Sequence, residues 1–167
     1  MTRFLIDTNV PSELIRSHPE PRVANWVYTQ DEQSLYLSVV SIGELRRGFV
    51  LLPIGERRTK LERWFEDDLL VRFEGRILPV TSAIADRWGE LDGHSQLKGQ
   101  PLNTADGLIA ATALVEEMTI VTRNVRHFAN LGVSVLNPSM GRFRHCLKDT
   151  GQITHWQPKP AVSIPAC

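Results

Sequence analysis

The sequence predicts a three-layer α/β/α fold built on a central, mostly parallel sheet. Three observations carry this. Phe4-Leu5-Ile6 is an unbroken apolar run near the N-terminus, the pattern of a strand covered on both faces. Runs of β-formers then alternate with stretches of helical periodicity, which implies right-handed crossovers between parallel neighbours. Helical stretches follow the strand runs directly, with Pro, Gly and polar clusters as punctuation, so there is no meander of hairpins.

Taken in order, Val10 to about Ser17 reads as a short helix carrying Leu14 and Ile15, interrupted by His18-Pro19-Glu20-Pro21. From Arg22, apolar Val23, Trp26 and Val27 recur at helical spacing. Leu35 to Val40 is a second strand leading straight into a helix at Ser41, whose stripe is Ile42, Leu45, Phe49 and Leu52 and whose stop is Pro53. Gly55 to roughly Glu74 reads as one long charged helix with a solvated face. Ile77-Leu78-Pro79-Val80 can only be an edge strand or a connection, because Pro79 cannot donate to a central ladder. Thr81 or Ser82 caps a helix that fades into a loop at His94 to Gly99. The Ala-rich helix from Ala105 to about Glu117 has small residues Gly107, Ala110, Ala111 and Ala113 that allow close approach to the sheet. Thr119 to Thr122 is a third strand and Val133 to Leu136 a last one. From Ser139 onward the periodicity disappears, so the chain divides into a domain over 1–138 and a flexible tail over 139–167.

Composition narrows the function classes. Hydrophobic residues make up 42% and charged residues 23%, a globular balance, and 19 basic residues cancel 19 acidic ones. Any attraction to nucleic acid must therefore come from local patches. No apolar run approaches the ~20 residues that span a bilayer, and no signal-peptide core precedes Asp7, so a cytoplasmic protein without a membrane partner is expected. Cys146 and Cys167 are the two cysteines, both late in the chain, so the body carries neither a disulfide framework nor a thiolate zinc site.

Ligands of open α/β sheets gather beyond the carboxyl ends of the strands, and Asp7 stands where the first apolar run stops. Alone, Asp7 also reads as an N-cap. Glu44 follows Ser41 by three, the capping-box spacing, and Asp106 follows Asn103 by three, so each has a local explanation too. The topology adds a shared one. Asp7 ends a strand, Glu44 opens the helix after another, and Asp106 opens a helix running back against the strands, so all three reach one edge. Thr122-Arg123-Asn124 arrives at the same edge. Crowded carboxylates repel and raise one another's pKa values, and no lysine stands in a matching position to neutralise them. A hard divalent cation relieves this; Mg²⁺ or Mn²⁺ fits better than zinc because there is no Cys/His set.

Phe4-Leu5-Ile6-Asp7-Thr8-Asn9, Ser41-Ile42-Gly43-Glu44-Leu45-Arg46-Arg47-Gly48, Thr104 to Ala113 around Asp106, and Val121-Thr122-Arg123-Asn124 together resemble the PIN-domain family, specifically its VapC/FitB-like toxin ribonucleases. The match spans roughly Thr2 to Pro138; each block is weak alone and the ordered set is strong. The resemblance implies a PIN-like α/β/α fold, Mg²⁺-dependent cleavage of single-stranded RNA, a homodimer, and a cognate antitoxin encoded alongside, with operator DNA reached only through that antitoxin. By motif position Asp7, Glu44 and Asp106 are the acids of the metal site. Asn124 stands where many members carry a fourth acid, which leaves one or two metal ions open.

On this reading Asp7 and Asp106 hold the ion, and Glu44 either completes the shell through water or takes a proton from the attacking water. Thr8, Asn9, Thr122 and Asn124 are expected to orient these ligands. Arg46, Arg47 and Arg123 are candidates to hold the RNA backbone, though a solvated helix face accounts for them equally. The five histidines, His127 among them, carry no assigned role. Two other readings stay open: a phosphatase with a strand-end Asp nucleophile, disfavoured because Asn9 stands where such enzymes carry a second Asp, and a PIN scaffold serving mainly as the partner of a DNA-binding antitoxin with little nuclease activity. Trp26, Trp64, Trp88 and Phe65 could line a dimer or antitoxin groove, but core packing accounts for most of them better.

Overall fold

The computed structural model describes residues 2–140. Its sheet has five strands, all parallel, in the order β3-β2-β1-β4-β5, where β1 is Phe4–Ile6, β2 Leu35–Ser38, β3 Ile77–Leu78, β4 Thr119–Val121 and β5 Val135–Leu136. The first strand is the middle one, as its uninterrupted apolar run requires. Leu5 pairs in register with Tyr36 on one side and Ile120 on the other.

Successive residues of a strand face opposite sides, and β1 shows it directly. Ile6 joins a core with Val10, Val23, Trp26, Leu45, Phe49 and Phe65, whereas Leu5 joins a second core with Ile84, Leu91, Ile109 and Ala110. The helices that close the first side are α1 (Asn9–Leu14), α2 (Pro21–Thr29), α3 (Val39–Val50), α4 (Glu56–Arg63) and the turns that continue α4; α6 (Ser82–Leu97) and α7 (Thr104–Val115) close the other. This is the expected three-layer sandwich. Leu5, Leu37, Ile109 and Ile120 are wholly removed from water, each stabilising the fold by roughly 1.5–3 kcal/mol.

Several boundaries differ from the sequence reading, each for a local reason. The second strand stops at Ser38, whose hydroxyl accepts the Val40 N–H at 3.2 Å and so starts α3 at Val39 rather than Ser41. Ser41 lies inside the helix, fully buried, which removes the capping-box explanation of Glu44. The long charged helix is continuous over 56–72, as expected, but its winding changes: α4 passes into a π-helical turn, Trp64–Leu69, before a last short helix, α5 (Leu70–Arg72). Phe65, Leu69 and Phe73, at spacings of four, face one core while Glu66, Asp67 and Asp68 stay exposed. The loop expected at 94–99 is helical as far as Leu97. It ends in a Schellman turn, with Gly99 at φ +69° and the Gln100 N–H bonded to the Ser95 carbonyl at 2.9 Å. Ile77–Leu78 is the edge strand that Pro79 demands. Gly107 serves a contact other than the one expected, since a Cβ there would lie 2.8 Å from both Trp88 Cδ1 and Leu102 Cδ2, so it admits α6 rather than the sheet. The expected tail over 139–167, with both cysteines, falls outside the described residues apart from residues 139 and 140.

Candidate active site

Strand order reverses direction between β1 and β4, because the chain builds outward to β3 on one side before crossing to β4 and β5 on the other. At such a switch point the carboxyl ends of two neighbouring strands part and leave a crevice. Asp7 follows β1 into it. Its backbone N–H still donates to the Val121 carbonyl at 3.0 Å, so the residue is tied to the ladder, and its side chain is only 5% exposed.

The carboxylate is held by three donors. Oδ1 accepts from the Thr8 N–H at 2.8 Å, and Oδ2 accepts from Asn9 Nδ2 at 2.5 Å and from Thr122 Oγ1 at 2.6 Å. It makes none of the N-cap contacts that the simple reading of Asp7 requires; Thr8 is the N-cap of α1, without a side-chain cap bond. Glu44 is joined to the same group through Thr8, whose hydroxyl donates to Glu44 Oε2 at 2.5 Å. Asp106 enters from the first turn of α7, where Asn103 does the capping by accepting from the Ala105 and Asp106 N–H groups at 2.9 and 3.3 Å. The Asp106 side chain instead meets His127, with Nδ1 3.0 Å from Oδ2.

Electrostatics join the three acids. Burial, above all, pushes the Asp7 carboxyl up from its ordinary 3.8 to about 6, with the charges of Asp106 and Glu44 adding to the rise and the Thr122 and Thr8 hydrogen bonds opposing it. Among the described residues no Lys or Arg forms an ion pair with Asp7, Glu44 or Asp106. Asp106 and Glu44 thus lie within electrostatic reach of Asp7, and the basic side chain that meets Asp106 is His127. No three His, Cys, Asp or Glu side chains among the described residues are arranged to hold a metal ion by themselves. An ion held here would draw most of its ligands from water, with Asp7 and Asp106 as the carboxylates that could join it.

The remaining candidates divide. Thr8, Asn9 and Thr122 touch the Asp7 carboxylate; Asn124 is exposed and donates its backbone N–H to Thr122 Oγ1 at 2.9 Å. Arg47 is exposed, one turn along α3 from Glu44. Arg46 is paired with Glu66 at 2.7 Å and lies over the Phe65 ring, and Arg123 is paired with Glu13. Two residues were missed by sequence reasoning. His127 was one scattered histidine among five, and only the three-residue step past Asn124 hinted at its reach. Glu13 is a buried carboxylate, and its signal was the spacing of four from Asn9, which puts both on one face of α1.

Fold and site together define a parallel α/β/α domain with acids gathered at its switch point. The chain belongs to the PIN domain family, which matches residues 4–133, and within it to the VapC/FitB-like members. It is 37% identical over 135 residues to the toxin FitB of Neisseria gonorrhoeae, covering 81% of this chain and 97% of FitB. It is 34% identical over 135 residues to the VapC ribonuclease Y4jK of Sinorhizobium fredii, covering 81% and 96%. A solved structure of FitAB bound to an IR36 DNA fragment contains a chain that superposes with TM-score 0.79 at 35% identity, covering 85% of this chain and 99% of that one.

Proposed function

We propose that this protein is the toxin of a toxin–antitoxin pair and an endoribonuclease that hydrolyses single-stranded RNA with Mg²⁺, or Mn²⁺ in its place. The observation that carries the reading is Asp7, a buried carboxylate on the central strand, held by three donors and crowded by two further acids with no basic partner. Such an arrangement is disfavoured by its own charge unless a cation completes it.

Asp7 and Asp106 would hold the ion. When bound, it supplies Lewis acidity toward water and the scissile phosphate. Thr8, Asn9 and Thr122 fix the direction in which the Asp7 oxygens point. Thr8 occupies Glu44 Oε2, leaving Oε1 to take a proton from an attacking water. Arg47 is the arginine of the three candidates with no ion pair among those described, and it would meet the RNA backbone beside Glu44. Arg46 and Arg123 would have to leave their carboxylates to do so.

The names of the relatives support the rest of the proposal. A toxin, a VapC ribonuclease and a FitAB assembly on DNA are consistent with a protein antitoxin as partner and with operator DNA bound through it; a homodimer belongs to the same proposal. No helix among the described residues is long and apolar enough to cross a membrane, and a cytoplasmic site of action, where RNA and antitoxin meet, is part of the same proposal. A second reading, a PIN scaffold that mainly binds its antitoxin, is favoured by the lack of a ready-made ligand cage. Cleavage of single-stranded RNA by the wild type and by Asp7→Ala, Glu44→Ala and Asp106→Ala, with Mg²⁺, Mn²⁺ or EDTA, decides between them. The nuclease reading expects activity only in the wild type with a metal; RNA left intact with both ions refutes it and leaves the scaffold.

A further inference from the structure

Glu13 is a carboxylate that the proposed reaction does not use, yet it is 3% exposed. A buried carboxylate must be paired and hydrogen-bonded to be tolerated. Glu13 is held from three directions. The Arg123 guanidinium and Arg16 Nη1, the latter at 3.1 Å, reach Oε2, and the Glu20 N–H donates to Oε1 at 2.9 Å. The bonds to Arg16 and Glu20 stay between α1 and the start of α2, whereas the bond to Arg123 lands at the end of β4, next to Thr122.

Residue 123 is gripped twice by the same helix face. Its backbone N–H donates to Asn9 Oδ1 at 3.1 Å, while its guanidinium is held by Glu13, four residues further along α1. With Asn9 Oδ1 engaged, Nδ2 faces the other way, toward Asp7 Oδ2 at 2.5 Å and Thr122 Oγ1 at 2.8 Å. An Asn9 turned about would set its carbonyl oxygen against the Asp7 carboxylate. α1 has six residues and no side-chain cap; burial of Val10 and Pro11 seats it on the first core, and the two bonds to residue 123 tie its polar face to the end of β4.

We infer that the Glu13–Arg123 ion pair is a latch that positions the acidic site, fixing the facing of the Asn9 amide and through it the aim of the Asp7 carboxylate. The inference rests on the metal-dependent reading of that site, and it gives Arg123 a task inside the protein in place of a contact with RNA. Glu13 and Arg123 are positioning residues; neither touches the reacting atoms.

The test uses the full chain and four variants: Glu13→Gln, which keeps the shape and loses the charge, Arg123→Gln, the double variant, and Arg123→Lys. Mn²⁺ binding is followed by the spectrum of the free ion, and RNA cleavage by kcat and KM. Protection of the Arg123 amide against hydrogen exchange is measured without metal. The latch predicts that Glu13→Gln weakens Mn²⁺ binding and lowers kcat by about tenfold or more with KM little changed, as for other partners that orient metal ligands. Arg123→Gln does the same, the double variant is no worse than the poorer single one, and Arg123→Lys recovers part of the loss. Exchange at Arg123 quickens in Glu13→Gln. Should that variant fail to fold, the cycle between wild type, Arg123→Lys and Arg123→Gln still separates the cases. Wild-type Mn²⁺ binding and kcat in Glu13→Gln overturn the latch alone, as does an Arg123→Gln variant altered only in KM and its salt dependence, which puts Arg123 on RNA. A wild type that neither binds Mn²⁺ nor cleaves RNA overturns the reading of the site and the latch with it.

Discussion

Replacing Asp7 with Asn should abolish cleavage and yet, without metal at neutral pH, leave the protein as stable as before or more so. The folded pKa is about 6 against an ordinary 3.8, with burial the largest cause and Asp106 and Glu44 adding to it. A carboxyl whose pKa is raised by folding favours the folded state while protonated, fully so below 3.8, and that contribution is lost as the pH rises through about 6. The gap is worth roughly 3 kcal/mol, at about 1.4 kcal/mol per pH unit, all of it forfeited at pH 7.5. Asn is never charged and escapes this penalty. It must, however, present an NH₂ to donors that now face oxygens, Thr8 N–H on one side and Asn9 and Thr122 on the other, at about 1–3 kcal/mol. The net change at pH 7.5 is therefore about 0–2 kcal/mol in favour of Asn. By pH 4.5 the wild type regains about 2 kcal/mol through Asp7 protonation, so the order of stabilities should shift toward the wild type by that amount. Urea unfolding in EDTA at the two pH values measures it. Mg²⁺ at a hundred times its Kd should then stabilise the wild type by about 2.7 kcal/mol at pH 7.5 and leave Asp7→Asn unmoved. Parallel pH profiles for the two proteins, separated by a constant difference, would refute the account of Asp7.

Two further predictions concern the frame around the site. Gly107→Ala should destabilise the protein by about 1–3 kcal/mol in urea, because its Cβ would sit 2.8 Å from a Trp88 ring carbon and from Leu102, whereas Gly93→Ala, with nothing within 4 Å, should stabilise by about 0.4–1 kcal/mol. Equal effects at both positions would show that helix propensity and not packing governs α6 and α7. Phe65→Ala, which removes a buried ring set edge to face on Phe49 at 5.7 Å, should lower stability by about 3–5 kcal/mol in the same assay, and a loss under 1 kcal/mol would show the π-helical turn refolding around the gap.

The parts of this protein legible in its sequence are those where a local pattern and a global rule agree. Phe4-Leu5-Ile6 reads as a central strand because all three residues are apolar, and only a strand with both faces covered tolerates that. That Asp7, Glu44 and Asp106 share one edge was read from strand polarity together with a helix running back against the strands, and the charges of Glu44 and Asp106 do reach Asp7. Side-chain partners were less legible. Whether a helix begins at Ser38 or Ser41 turns on which hydroxyl lies outside the last extended residue, and both serines have the right chemistry. The π-helical turn at Trp64–Leu69 is not legible in the sequence, because Phe65, Leu69 and Phe73, at spacings of four, would share a face of an ordinary α-helix as well. Glu13 could be seen as a helical carboxylate but not as a buried one, because its partner lies 110 positions away.

The pairing of β1 with β4 also bears on the order of events during synthesis. Asp7 leaves the ribosome early, but Thr122, which bonds it, follows 115 residues later, roughly 6–23 s at ordinary elongation rates. Until then the first strand lacks one of its two neighbours and the pocket has only one wall. A chain that ends before β4 therefore lacks both the Thr122 bond to Asp7 and the strand that closes the crevice.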